Sequence, residues 1–225
     1  MSNRIILIDM DETIGSFKDI NLVYYHIKQY IDLNELLHIF EKDVFRPFMF
    51  NIFEILLNLK RMNEIDKVIL YTNNNGGRSW PSKIVNYIHK RLPNLFDDII
   101  YGLFVNRGNI ADTRRIHYNK HMEDVRRILH VHNNTTFLFL DDMDYEHMHS
   151  NDVKYILLYP YNHSLTSSLV LEKLKHHPLF SYIHDALQQY DTHIITDDAD
   201  DEDDIHYNES VRITRSIIEF VGLNP

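Results

Sequence analysis

The chain has 225 residues, of which 44% are hydrophobic, enough to bury the core of one domain and too many for a disordered chain. It contains no cysteine, which excludes a disulfide framework, a thiolate zinc site, an iron–sulfur cluster and a cysteine nucleophile. The formal net charge is −10, but seven acids lie within residues 197–204, and the rest of the chain carries only −3. A general nucleic-acid-binding surface is therefore not indicated.

The N-terminal apolar run, Ile5–Ile8, is too short for a signal peptide or a membrane-spanning helix. No other segment approaches the about 18 apolar residues that a span requires. We therefore expect a soluble, intracellular protein of the cytoplasm or nucleus with no membrane partner. Residue usage, with 27 Ile against 3 Ala, resembles coding from an A+T-rich genome such as that of a large DNA virus. Nothing in the sequence indicates an oligomeric state.

Short apolar runs alternate along the chain with segments whose apolar residues recur at helical spacing. The strand candidates are Arg4–Ile8, Lys67–Tyr71, Ile99–Val105, Thr135–Leu140 and Val153–Tyr159. The helix candidates are residues 20–43, a helix opened by Arg46-Pro47, a helix from Trp80-Pro81 to about Arg91, Lys120–His130, residues 165–190 and Ser210–Val221. This alternation predicts an α/β fold with a largely parallel, Rossmann-like sheet of about five strands flanked by helices.

Three regions follow from this pattern. Residues 1–190 are predicted to form the core domain, 191–209 an acidic flexible segment, and 210–225 a C-terminal helix packed on the core. The acidic run 197–204 is typical of a solvated segment. Its functional alternatives are autoinhibition, by imitating a phosphorylated ligand, and docking to a basic partner.

The most informative motif is Asp9-Met10-Asp11-Glu12-Thr13, directly after the first strand. In an open parallel sheet, ligands bind beyond the carboxyl ends of the strands. Two close carboxylates repel each other, so a divalent cation is the natural compensation, and oxygen ligands favour Mg²⁺. One carboxylate can then attack phosphorus while the other handles the leaving-group proton. The alternative is that these acids form an ordinary loop or helix cap.

Further polar residues fall where the same chemistry needs them. Thr72 ends the second strand and, with the backbone amides that follow at Asn73, can hold a phosphate oxygen. Lys120 stands at the start of a helix and can neutralise phosphate charge. Asp141 and Asp142 end the fourth strand and can complete a metal shell.

This order of motifs resembles the haloacid dehalogenase superfamily of phosphohydrolases over residues 5 to about 160. The matching positions, from the first motif to the fourth, are Asp9-x-Asp11-x-Thr13, Thr72, Lys120 and Asp141-Asp142. The resemblance implies a phosphatase in which Asp9 is the nucleophile that forms an aspartyl-phosphate and Asp11 is the general acid and then base.

The resemblance also implies a ligand set. Mg²⁺ would be held by Asp9, by the carbonyl of Asp11 and by Asp142. Asp141 would be a second ligand or would orient Lys120. Thr72, Asn73 and Lys120 would bind the phosphate.

The sequence of the first motif, Asp-x-Asp-Glu-Thr, and the Arg46-Pro47 pair resemble sequences of the NLI-interacting-factor-like group. This group includes phosphatases of the RNA polymerase II C-terminal domain. Two departures exist. Asp141-Asp142-Met143-Asp144 stands where that group usually has Asp-Asn-Ser-Pro, and Thr72-Asn73 stands where it usually has Thr-Ala. Because of these changes, the substrate of that group does not carry over.

About 60 residues separate the first two motifs, and they include an apolar helix face that the core can bury. We therefore expect no large cap domain and an open site, which suits a phosphate on a macromolecule. A phosphoprotein carrying Ser/Thr or Tyr phosphate is the preferred substrate. The alternatives are a nucleotide or nucleic-acid terminal phosphate, which the basic stretch from Arg107 to Arg127 would favour, and a non-catalytic binding protein with the same fold.

The chain also has 15 histidines, several of them between His117 and His149. His117 and His121 are four residues apart, but the sequence around them offers no evident third ligand. The pattern therefore favours surface or core histidines over a metal site.

Overall fold

The computed structural model describes residues 3–74, 78–103, 112–131, 134–188 and 203–223. Its strands are β1 (Arg4–Ile8), β2 (Lys67–Tyr71), β3 (Asp98–Ile100), β4 (Thr136–Asp141) and β5 (Val153–Leu157). Its α-helices are α1 (Lys18–Ile27), α2 (Leu33–Ile39), α3 (Glu41–Val44), α4 (Met49–Arg61), α5 (Ser79–Arg91), α6 (Met122–Leu129), α7 (Ser167–Leu174), α8 (Phe180–Gln188) and α9 (Asp203–Phe220). A short 3₁₀ turn, Glu146–Met148, lies between β4 and β5.

The five strands form one parallel sheet in the order β3-β2-β1-β4-β5. The central strand, β1, pairs with β2 on one side and with β4 on the other. Its residues Ile5–Ile8 are all buried, as expected for a parallel strand covered on both faces, where the sequence is a continuous apolar run. The predicted α/β, Rossmann-like fold is confirmed.

Helices cover both faces of the sheet, and the side chains of β1 alternate between two cores. Ile6 and Ile8 join the larger core, which includes residues of α1, α2, α4, α5 and α7–α9. Ile5 and Leu7 join the smaller core, to which α6 contributes Met122 and Val125. The polar residues after β1 therefore follow a strand that is held by neighbouring strands at both edges and by packed side chains on both faces.

The helices between β1 and β2 belong to the same core as the sheet. Ile20 of α1, Leu36 of α2 and Phe53 of α4 are all fully buried in it. Within the described ranges no inserted segment forms a separate cap, as the sequence predicted.

None of the helices described combines the length and apolar character needed to cross a membrane.

Several boundaries differ from the predicted ones for local reasons. Helix α6 begins at Met122 rather than Lys120, because His121 is extended and its side chain accepts a hydrogen bond from the Glu123 amide. Helix α9 begins at Asp203, before the predicted Ser210. Most of the segment predicted as flexible, together with the far end of the third strand candidate, lies outside the described residues.

Candidate active site

The acids predicted to act together meet at the carboxyl edge of the sheet, between β1 and β4. The chain passes from β1 to β2 on one side of β1 and only later to β4 on the other. Such a switch in direction leaves a crevice beyond the strand ends, which is where ligands bind in open α/β sheets. The amide of Asp9 donates to the Leu140 carbonyl at 3.0 Å and so joins the two strand ends.

Lys120 bridges two carboxylates at this edge. Its Nζ donates to Asp9 Oδ1 in a short hydrogen bond and to Asp141 Oδ2 at 2.6 Å. The lysine is 1% exposed. Its ammonium lies 5.4–5.6 Å from the centroids of three aromatic rings, those of Tyr71, Phe139 and Tyr145. The ammonium therefore has a fixed position in a site that excludes water on this side.

The charges of this group are not balanced within it. Burial raises the pKa of Asp9 and of Asp141, while Lys120 acts in the opposite direction on both. Although burial favours the neutral amine, Asp141 and Asp9 raise the pKa of Lys120 above its usual value. One ammonium thus serves two buried carboxylates, and the excess negative charge favours binding of a cation.

Asp142 supplies a third carboxylate. Asp9, Asp141 and Asp142 can each place an oxygen within 4.8 Å of the other two. Asp142 is fixed by Thr13, whose hydroxyl donates to Asp142 Oδ1 at 3.0 Å and accepts from the Asp142 amide at 3.1 Å. The loops after β1 and β4 therefore hold each other, and their oxygens fit the ligand chemistry of Mg²⁺.

The two roles considered for Asp141 are distinguished by its hydrogen bonds. Its Oδ2 accepts from Lys120, and its Oδ1 accepts from the Met143 amide at 2.8 Å. Both oxygens are thus engaged within the protein, which favours the role of orienting Lys120 over that of a direct metal ligand. The Asp11 carboxylate does not belong to the three-carboxylate group.

The loop after β2 contacts the Asp11 side chain. Asn74 Nδ2 donates to Asp11 Oδ2 at 2.8 Å, and the Asn74 amide donates to Thr72 Oγ1 at 2.9 Å. Burial raises the pKa of Asp11, so this carboxyl holds a proton to a higher pH than an exposed one. Thr72 lines the cavity, and because its oxygen accepts from Asn74, its O–H remains available to donate to a ligand.

Asn73, predicted to bind substrate, lines the cavity, and its side chain is held by two neighbours. Its Oδ1 accepts from Arg115 Nη1 at 2.6 Å, and its Nδ2 lies 3.4 Å from the Tyr145 hydroxyl. Arg115 is itself buried and donates to the carbonyls of Tyr118 and Asn119. This arginine therefore connects the loop after β2 to the segment that carries Lys120.

Arg46 is a positioning residue that the sequence did not reveal. It is 1% exposed, and its Nε donates to the Thr13 carbonyl at 2.7 Å while its Nη2 donates to the Glu12 and Tyr159 carbonyls, each at 2.8 Å. Glu12 has a φ of 60°, a conformation that non-glycine residues rarely adopt. In the sequence, the Arg46-Pro47 pair predicts a helix start and is part of the family resemblance, but nothing local indicates that the guanidinium stabilises this loop.

A cavity of about 350 Å³ opens above these residues. Its lining residues are Asp9, Asp11, Glu12, Thr72, Asn73, Asn74, Asp141, Asp142, Met143 and Tyr145. Met143 is 57% exposed at the rim. The cavity combines an acidic floor with a partly apolar rim and is accessible from solvent.

The basic stretch considered for nucleic-acid binding is paired within the protein. Arg114 forms ion pairs with Asp98 and Asp112, and Arg126 with Asp152. Arg127 pairs with the buried Asp124. Arg107 lies outside the described residues. The described arginines of this stretch stabilise the fold rather than form an unpaired basic surface.

Comparison with known proteins gives no match: no family model fits the chain, and no curated protein or solved structure is significantly similar to it.

Proposed function

We propose that this protein is a Mg²⁺-dependent phosphatase of the haloacid dehalogenase type, which hydrolyses phosphomonoesters through an aspartyl-phosphate on Asp9. The observation that carries the proposal is the bridge of Lys120 between Asp9 and Asp141, with Asp142 beside them. Loops after separate strands supply a nucleophile, a buried cation and a set of oxygen ligands at the point where a parallel sheet binds its ligand.

Asp9 and Asp142, with the Asp11 carbonyl, would hold the ion. Two observations support the fit of these residues to Mg²⁺: the Asp9, Asp141 and Asp142 carboxylates lie close together, and negative charge is in excess around Lys120. When bound there, Mg²⁺ would neutralise the negative charge on the phosphoryl oxygens. Without it, the acidic floor would repel a phosphate dianion.

In the first half-reaction, a carboxylate oxygen of Asp9 attacks phosphorus and the ester P–O bond breaks. Asp11, whose raised pKa favours the protonated form, gives its proton to the leaving oxygen. Lys120 and the Thr72 hydroxyl stabilise the negative charge on the transferring phosphoryl group. The products are the free alcohol and an acyl phosphate on Asp9.

In the second half-reaction, the Asp11 carboxylate removes a proton from water, and the water oxygen attacks phosphorus. The bond between phosphorus and the Asp9 oxygen breaks, which releases inorganic phosphate and restores both aspartates. Asn74 holds one oxygen of Asp11 at 2.8 Å, so the same carboxyl keeps its position while it changes from acid to base.

A phosphorylated protein is the substrate class that the cavity best supports. The helices between β1 and β2 are buried in the core, so they leave the cavity open to a chain carrying the phosphate. The pairing of Arg114, Arg126 and Arg127 with aspartates removes the main feature that favoured a nucleic-acid end. The test below also distinguishes this function from two alternatives, a nucleotide phosphatase and a non-catalytic binding protein.

The test is hydrolysis of an aryl phosphate with Mg²⁺ and with a chelator, followed by panels of phosphopeptides and nucleotides. We expect activity that requires Mg²⁺, that is lost in Asp9→Asn and Asp11→Asn, and that is higher on phosphopeptides. Asp144→Asn is the matched control, because Asp144 is an exposed acid of the same loop that lies outside the cavity lining. Equal rates for the wild type and Asp9→Asn would refute catalysis by this site, and a preference for nucleotides would refute the substrate class.

A further inference from the structure

Three side chains with metal-ligand chemistry converge at the start of α6, outside the acidic site. His117, His121 and Glu123 can each place a ligand atom within 4.8 Å of the other two. His121 is the N-cap of α6 and Glu123 lies in its first turn, while His117 comes from the preceding segment. The fold thus adds a carboxylate to a pair of histidines for which the sequence showed no third ligand.

His117 places one ring nitrogen near Glu123 and the other near a buried carboxylate. Its Nε2 lies 3.6 Å from Glu123 Oε2. Two ligand atoms of a tetrahedral ion with bonds of about 2.05 Å are about 3.3 Å apart, which is close to this distance. Its Nδ1 lies 3.4 Å from Oδ2 of Asp124, a fully buried carboxylate. A carboxylate behind the far nitrogen of a histidine fixes the tautomer and ring orientation in many metal sites.

The far nitrogen of His117 provides a second, independent observation. His117 Nδ1 is buried and has no hydrogen-bond partner among the described residues. Buried polar atoms without a partner are rare in folded proteins. An ion bound at Nε2 would keep the proton on Nδ1, and a rotation of the ring would then let this N–H donate to the Asp124 carboxylate 3.4 Å away.

The His121 ring is stacked between two other imidazoles. Its centroid is 3.9 Å from that of His117 and 4.7 Å from that of His147. Its Nδ1 accepts from the Glu123 amide at 3.1 Å and its ring is parallel to that of His117, so ligation by His121 would break this cap and rotate the ring out of the stack.

We propose that His117, His121 and Glu123 form a Zn²⁺ site separate from the proposed Mg²⁺ site. Two imidazoles and one carboxylate suit zinc, whereas Mg²⁺ prefers an all-oxygen shell. Three protein ligands leave a fourth position for water. Because His121 directly follows Lys120, zinc bound here would anchor the segment that carries the lysine of the acidic site.

The test is titration of the full-length protein with Zn²⁺ alone, in competition with a chromophoric chelator. The Asp9→Asn/Asp142→Asn double variant serves as the background, so that the acidic site contributes nothing. We expect one Zn²⁺ per chain, with affinity weakened by roughly tenfold or more in Glu123→Gln and in His117→Ala. His38→Ala, at an exposed histidine of α2, should leave the affinity unchanged.

Both test variants are expected to fold, because Glu123 is exposed and His117 is half-exposed, and a thermal melt of each verifies this. Unchanged Zn²⁺ affinity in either variant would overturn the proposal. Loss of zinc binding in the double aspartate background would also overturn it, since the ion would then belong to the acidic site. Neither result depends on phosphatase activity.

Discussion

Replacement of Arg46 by methionine tests how the loop after β1 is held. Methionine has a similar length but no donors, so the change removes three hydrogen bonds to the carbonyls of Glu12, Thr13 and Tyr159. Burial lowers the pKa of Arg46 to about 10, so the loss of bonding is partly offset by relief of a buried charge. We expect a net decrease of about 3–5 kcal/mol in the free energy of unfolding.

The assay is urea unfolding followed by the fluorescence of Trp80, the single tryptophan, which is buried in the larger core. Arg46→Lys retains the charge but not the planar fork of donors, and its loss should be intermediate. Arg61→Met, at an exposed arginine of α4, is the control and should change stability by no more than about 0.5 kcal/mol. A loss below about 1 kcal/mol in Arg46→Met would refute the reasoning.

Two further predictions concern charged groups. Without Mg²⁺, Asp9→Asn should raise the free energy of unfolding at neutral pH by about 1 kcal/mol, because Lys120 then neutralises only the Asp141 carboxylate. A lower melting temperature of this variant would contradict the proposed excess of negative charge. Although burial opposes ionisation of Asp112, the hydrogen bonds from Arg114 hold its pKa below the usual value. Its stabilisation is therefore present above the unfolded-state pKa of about 3.9 and is lost as pH falls through the folded-state value. Urea unfolding at a series of pH values should show a shallower acid-induced decline in Asp112→Asn than in the wild type, and identical profiles would exclude this contribution.

The sheet and the convergence of its acids were predictable because both follow from local pattern. An apolar run of the type Ile5–Ile8 must be buried on both faces, and this predicts a parallel strand whose carboxyl end carries Asp9. The same logic places Asp141 after β4. The relative position of two such strand ends then follows from the rules of α/β topology rather than from any single residue.

The residues that hold the site together were not predictable in this way. Arg46 stabilises carbonyls more than 30 positions away in sequence, and backbone acceptors leave no mark on residue type. Glu123 joins His117 only because His121 ends the extended segment and begins α6. The sequence also showed no sign that the Asn73 side chain accepts a hydrogen bond from a buried arginine 42 positions away.

The most direct test of the central claim is a crystal structure with Mg²⁺ and a fluoride-based phosphate mimic. We expect one ion bound by carboxylate oxygens of Asp9 and Asp142 at about 2.0–2.1 Å, with the mimic on Asp9 and in contact with Lys120. An ion that does not touch Asp9, or a mimic bound elsewhere, would contradict the account.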